Sequence, residues 1–318
     1  EPIVISDMRH GLPYSKGLMA QSFMATGLSP AKSYEAASAM EQEMRERGEL
    51  TVTPERLRDL ATGTLSKLAG TPYAVRYRRL EEISRLDRPL IVLIGGTTGV
   101  GKSTVAAEIA HRLGITRIAS TDSIREVMRG IFSRELMPAI YESSFNAWRN
   151  LRIPVPQGAD PVIVGFREQT AVVTTGVKAL IDRSVVERVS LVVEGVHIVP
   201  GYIEPSQFKN AWVVPLVITV DDEEAHRSHF YIREAQTDGT RPFQKYRENF
   251  GDIRLLGRYI EGLAKEHGTP LIHSHQLDRT VSETLEHILR AGIGGKDKTA
   301  WTEAATKDRG RLMAGCSR

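Results

Sequence analysis

Cysteine is nearly absent: of 318 residues only Cys316, near the C-terminal end, is a cysteine. One thiol cannot close a disulfide within the chain, which excludes a disulfide-stapled scaffold and fits a reducing cytoplasm. No apolar run approaches the roughly 20 residues that a membrane-spanning helix needs, and no charged-then-apolar leader opens the sequence. Charge imbalance is also missing, since 42 basic residues face 39 acidic ones for a net +3. A nucleic-acid footprint needs basic residues gathered in a stripe. The densest basic spot, Arg76, Arg78 and Arg79, reads instead as a solvated helix face. No repeat of solenoid length occurs. The expectation is a cytoplasmic globular protein with no nucleic-acid or membrane partner and no mark of an oligomer.

What is present divides into three parts. Residues 1–88 begin with a short β-like stretch, Ile3 to Ile5, and then carry helix punctuation. Ser29 and Thr53 stand where N-caps belong, Pro30 and Pro54 fit the first helical turn, and Gly48 and Gly70 act as stops. Leu57, Leu60, Ala61, Leu65 and Leu68 fall on one face of the second of these helices. A small, mainly helical domain and a linker follow from this. From Pro89 to about residue 292, apolar strand-like runs alternate with helical segments: "LIVLIGG", "TRIAS", "VSLVVEG", "WVVPLVITV" and "TPLIHS". Five strands separated by helices predict a doubly wound α/β domain with a mainly parallel five-stranded sheet. Residues 293–318 lack periodicity and read as a flexible tail.

The stretch Gly96-Thr97-Thr98-Gly99-Val100-Gly101-Lys102-Ser103-Thr104 satisfies the phosphate-loop pattern, between a buried strand and an amphipathic helix. Glycines let backbone amides face phosphate oxygens, and the helix N-terminus adds its positive end. In this pattern Lys102 bridges the β- and γ-phosphates of a nucleotide such as ATP, and Ser103 ligates Mg²⁺.

Three further elements give the phosphoryl group a destination. Asp122 stands where the second strand passes into a helix, placed to orient an acceptor hydroxyl or Mg²⁺, with Arg125 one turn on. The competing reading makes Asp122 a helix cap and Arg125 a solvated side chain. Glu194 ends the third strand after a run of apolar residues, as a second candidate for Mg²⁺ or its water. His197 follows, with contact to substrate and a purely structural role both open. Between the fourth and fifth strands lies a charged segment with Arg227, Arg233, Arg241, Lys245 and Arg247. Such a segment can act as a lid that brings an arginine to the transferring group, or lie as an exposed helical hairpin. Arg227 and Arg233 are the candidates for the catalytic arginine.

In order along the chain, "GGTTGVGKST", "STDSIREVMR", "SSFNAW", "GFREQ", "VVEGVHIVPG", "ITVDDEEAHRSHF" and "KYRENFGDIR" resemble the archaeal-type 2-phosphoglycerate kinases, which are P-loop kinases. The first domain resembles the ATP-cone module of that family, with Met8-Arg9 where its Lys-Arg pair stands. The resemblance implies ATP- and Mg²⁺-dependent phosphorylation of 2-phosphoglycerate to 2,3-bisphosphoglycerate. It also places Arg125, Arg149, Arg167 and His197 on motifs that meet a small anionic acceptor. Phe145, Trp148 and Phe166 in the same motifs read as core packing. Physics alone leaves open a kinase for another small anionic hydroxy acid, or a nucleotide-sensing switch.

Overall fold

The computed structural model describes residues 2–6, 11–151, 154–236, 243–274 and 276–293. The chain divides into two compact units, one built chiefly from residues up to Leu86 and the other chiefly from Asp87 to Ile288.

In the first unit β1 (Val4–Ser6), β2 (Gly11–Pro13), α1 (Lys16–Ala25), α2 (Pro30–Glu46), β3 (Thr51–Val52), α3 (Pro54–Leu68) and α4 (Thr71–Ser84) follow one another. Proline opens α2 and α3, as the punctuation predicts. The two caps differ. Thr53 accepts a hydrogen bond from the Arg56 amide at 3.2 Å, whereas the Ser29 side chain makes no cap bond. Strand β1 pairs antiparallel with β2 and parallel with β3. This three-stranded sheet is not foreseen by periodicity, because two- and three-residue strands are too short to show alternation. Phe23, Met40, Met44 and Leu65 form its fully buried core. Of the basic cluster on α4, Arg78 faces solvent, while Arg76 donates to the Thr26 carbonyl at 2.5 Å and fastens α4 to the end of α1.

The second unit contains β4 (Leu90–Gly95), α5 (Lys102–Arg112), β5 (Arg117–Ser120), α6 (Thr121–Ile131), α7 (Pro161–Glu187), β6 (Leu191–Glu194) and β7 (Trp212–Thr219). It continues with α8 (Glu223–Gln236), α9 (Phe243–Glu248), α10 (Phe250–Glu266), β8 (Leu271–His273) and α11 (Leu277–Ile293). All five anticipated strands form, in the order β5-β6-β4-β7-β8, and every pairing is parallel. Strand β4 is buried along its whole length, which explains its unbroken apolar run. Ile91, Leu93, Val177, Ile181 and Val193 fill one core layer, and Phe166, Val217, Phe230, Ile253 and Ile260 another. Phe145 and Phe166 are buried and Trp148 packs against them, as core residues do. Between α6 and α7, short 3₁₀ turns at Pro138–Tyr141 and Ala147–Asn150 lie on α7. The carboxyl ends of β4, β5 and β6 come together at one edge of the sheet, the edge where open α/β sheets take ligands.

Among the described residues no helix is long and apolar enough to cross a membrane. The tail with Cys316, the Met8-Arg9 pair and Arg241 lie outside the described residues.

Truncating Leu93, which is fully buried on the central strand, is expected to lower the unfolding free energy by about 2–5 kcal/mol. Val186→Ala, at a position 83% exposed, is expected to change it by less than about 0.5 kcal/mol. Urea midpoints of the two variants check this contrast.

Candidate functional site

The loop from Gly96 to Gly101 leaves β4 and enters α5 at Lys102. Its carbonyls are fastened from several sides. The Lys102 Nζ donates to Thr97 O at 2.7 Å, and the Thr97 hydroxyl donates to Ile253 O of α10 at 2.9 Å. Helix α8 supplies two imidazoles: His226 Nε2 donates to Thr98 O at 2.7 Å and His229 Nδ1 to Gly99 O at 2.8 Å. Gly99 has φ +88°, and a Cβ there would strike the Phe230 ring. Phe230 is itself stacked on Tyr246. With these carbonyls occupied, the loop has its amide N–H groups and the α5 N-terminus to offer an anion. Val100 is buried beneath the loop, and Ser103 and Thr104 are exposed on the first turn of α5.

The Ser103 hydroxyl donates to Glu194 Oε1 at 2.9 Å. Glu194 is 8% exposed and ends β6, the strand between β4 and β5. This hydroxyl–carboxylate pair beside a phosphate loop fits Mg²⁺, which takes one or two protein oxygens and completes its shell with phosphates and water. Lys102 is buried, which pushes its pKa down; the carboxylates of Glu194 and Asp122 oppose that shift.

Asp122 is not the cap of α6. Ser120 is, accepting from the Ser123 amide at 3.0 Å, so the Asp122 carboxylate is left for other partners. It stands 3.3 Å from Arg125 Nη2 and is 58% exposed, whereas Arg125 is only 14% exposed. Arg125 also donates through Nη1 to the Glu142 carbonyl, and its buried Nε has no partner. Burial depresses the Arg125 pKa, and Asp122 counters the shift.

His197 requires a correction: it is sealed rather than presented to a ligand. It is fully buried, with Nδ1 3.0 Å from the Thr121 hydroxyl and Nε2 2.7 Å from Gln169 Oε1. Burial, then the Arg125 cation, holds its pKa well below the usual imidazole value. Arg149 and Arg167 are exposed and held by aromatic neighbours. Arg149 lies over Trp148 at 5.6 Å, and a hydrogen bond with Tyr202 raises the Arg167 pKa. In the charged segment, the Arg227 guanidinium sits 3.8 Å from the centre of the Phe250 ring. The side chains of Arg233 and Lys245 lie outside the described residues, and Arg247 is exposed.

Among the described residues, the segment reaches the phosphate-loop carbonyls through His226 and His229, which a search for arginines passes over. The sequence carries only a weak signal, since His226 stands one helical turn before the aromatic Phe230. Gln169 carries a similar signal, a long polar side chain beside Val162, Phe166, Val173 and Val177 on the buried face of α7.

His226 is neutral at pH 7, because burial pushes its pKa down to about 4. The unfolded chain has an ordinary imidazole value of about 6.5, so it binds more protons than the native state between those limits. Stability is therefore expected to fall as pH drops from about 6.5 towards 4, and His197 acts in the same direction. Thermal melts across this range test it, with a shallower slope expected for His226→Gln, which keeps a donor for Thr98. A melting temperature that rises on acidification would contradict the reading.

No family model matches the chain. Among solved structures, a gluconokinase from Sinorhizobium meliloti 1021 aligns at 17% identity and a TM-score of 0.41, covering 68% of this chain and 99% of that one. That likeness is too distant to carry an argument. Sequence relatives are much nearer. The 2-phosphoglycerate kinase of Methanothermobacter thermautotrophicus is 40% identical over 296 residues, 93% of this chain and 96% of that protein. The 2-phosphoglycerate kinase of Methanopyrus kandleri is 38% identical over 90% of this chain and 86% of that protein. For the 2-phosphoglycerate kinase of Thermococcus kodakarensis the values are 36%, 90% and 96%. Identity of this size across nearly the whole length places the chain in the 2-phosphoglycerate kinase family.

Proposed function

We propose that the chain transfers the γ-phosphoryl group of ATP to the free hydroxyl of 2-phosphoglycerate, giving 2,3-bisphosphoglycerate and ADP. The acceptor follows the names of the relatives. The observation that carries the chemistry is geometric: the Ser103–Glu194 pair beside the phosphate loop and the Asp122–Arg125 pair after the next strand stand at the same edge of the sheet. Residues 89–292 form the catalytic domain in this reading, working in the cytoplasm.

The loop amides and Lys102 hold the β- and γ-phosphates, and Lys102 exchanges the Thr97 carbonyl for phosphate oxygen. Ser103 and Glu194 hold Mg²⁺, which when bound offsets the negative charge of the phosphate chain. Arg125 pairs with the acceptor's carboxylate or phosphate, for which a planar guanidinium is suited. Asp122 orients the acceptor hydroxyl and receives its proton as the new O–P bond forms and the bond to ADP breaks. Arg149 and Arg167 add positive charge on the acceptor side, and Arg227 or Arg233 comes from α8 to the moving phosphoryl group. Positioning and charge stabilisation supply most of the rate. The first unit is an ATP-cone-like regulatory module in this reading, which rests on motif likeness.

ATP consumption measured across a panel of phosphorylated hydroxy acids tests the assignment. Turnover is expected with 2-phosphoglycerate; turnover confined to another acid would move the substrate, and slow hydrolysis with every acceptor would overturn transfer. Lys102→Ala is expected to lower kcat by about 10²–10³-fold. Asp122→Asn is expected to lower it by about 10²–10⁴-fold. Normal transfer by the Lys102 variant would refute the donor site.

A further inference from the structure

We propose that Thr121, His197 and Gln169 are positioning residues for the acceptor, forming a buried neutral chain of hydrogen bonds that fixes both members of the Asp122–Arg125 pair. This rests on the reading of that pair as the acceptor half of the site.

The direction of every bond in the chain can be deduced. Gln169 Nε2 lies 2.6 Å from Ala139 O and 3.1 Å from Glu142 O, and a carbonyl can only accept. The amide nitrogen is therefore the donor, and Gln169 Oε1 faces His197 Nε2 as acceptor at 2.7 Å. His197 must carry its proton on Nε2, which leaves Nδ1 to accept from the Thr121 hydroxyl at 3.0 Å. All the polar side-chain atoms of the chain are used once this tautomer is set. Thr121, Gln169 and His197 are all fully buried, so water cannot replace a lost partner.

Each end of the chain acts on one member of the ion pair. At one end Thr121 precedes Asp122, and its hydroxyl fixes the start of α6. Gly195, with φ +151°, makes room for it, since a Cβ there would collide with the Thr121 hydroxyl. At the other end Gln169 holds the Glu142 carbonyl, the same oxygen that receives Arg125 Nη1. The Glu142 carboxylate is itself tied to Arg134 at 2.9 Å and Asn150 at 2.8 Å, which steadies the segment between the two 3₁₀ turns. The imidazole is neutral, so it adds no charge to compete with Arg125 for an anionic acceptor. Nothing in the chain needs to touch substrate.

The test compares Thr121→Val, which keeps the shape and loses the hydroxyl, with Thr121→Ser, which keeps the hydroxyl. Gln169→Glu, which replaces the donor facing two carbonyls with oxygen, and Arg125→Ala as reference complete the set. Thr121→Val and Gln169→Glu are expected to raise KM for 2-phosphoglycerate about 10–100-fold, with KM for ATP unchanged and Thr121→Ser close to wild type. A role in folding alone would lower the active fraction and leave both KM values in place. An unchanged acceptor KM in Thr121→Val and Gln169→Glu, with a raised one in Arg125→Ala, overturns this proposal and spares the acceptor site. An unchanged value in all of them overturns the acceptor site and the proposal together. Nitrogen-15 NMR of the wild-type protein gives an independent reading if a variant does not fold: His197 protonated on Nε2 is expected, and protonation on Nδ1 overturns the chain.

Discussion

The site depends on how the carbonyls of the phosphate loop are held. A loop of this kind binds an anion only if its N–H groups are free to face inward. Here Lys102, His226 and His229 engage three successive carbonyls, of Thr97, Thr98 and Gly99, while the Thr97 hydroxyl is fixed to α10. These donors come from α5 and α8, and the α10 contact adds a third helix. The cradle is thus set by tertiary structure as much as by its glycines. It also makes the charged segment before α9 a support for the loop at its N-terminal end, whatever its arginines do. His226 serves in this way as a buried donor; burial depresses its pKa, and the bond to Thr98 opposes that shift.

In the proposed reading, the order of the sheet makes this cradle half of a larger site. Because β6 lies between β4 and β5, Glu194 reaches Ser103 from the next strand, and Asp122 follows from the strand beyond. Parallel pairing puts Ile94, Glu194 and Ser120 in register, so the acids arrive at one edge without any loop having to find its way there. In that reading the acceptor side is built from α6, α7 and the 3₁₀ turns, through contacts that avoid additional charge. A cationic Arg125 and an anionic Asp122 held by a neutral imidazole and amide can respond to substrate without a competing buried ion.

How much of this could be read from the sequence depended on the type of signal. The strands were legible because burial on both faces leaves continuous apolar runs, as in "LIVLIGG". The phosphate loop was legible because its chemistry constrains glycine, lysine and serine at fixed spacing. The three-stranded sheet of the first unit was not, since strands of two or three residues carry no period. His197 left two readings open because histidine beside a strand end serves ligand and core roles equally well; its partners Thr121 and Gln169 are 76 and 28 residues away. His226 and His229 escaped notice because their partners are backbone carbonyls, which leave no trace in side-chain identity. Asp122 gave two readings at sequence level, and a single hydrogen bond, Ser120 capping α6, removes the one that makes it the cap.

The central claim is that the phosphate loop and the Asp122–Arg125 pair are two halves of one site, close enough for direct transfer. A bisubstrate analogue tests it most directly, with the terminal phosphate of an adenosine polyphosphate joined to the hydroxyl-bearing carbon of 2-phosphoglycerate. Inhibition competitive against both ATP and 2-phosphoglycerate is the predicted result. Inhibition competitive against ATP alone would show that the acceptor half lies elsewhere and would contradict the account.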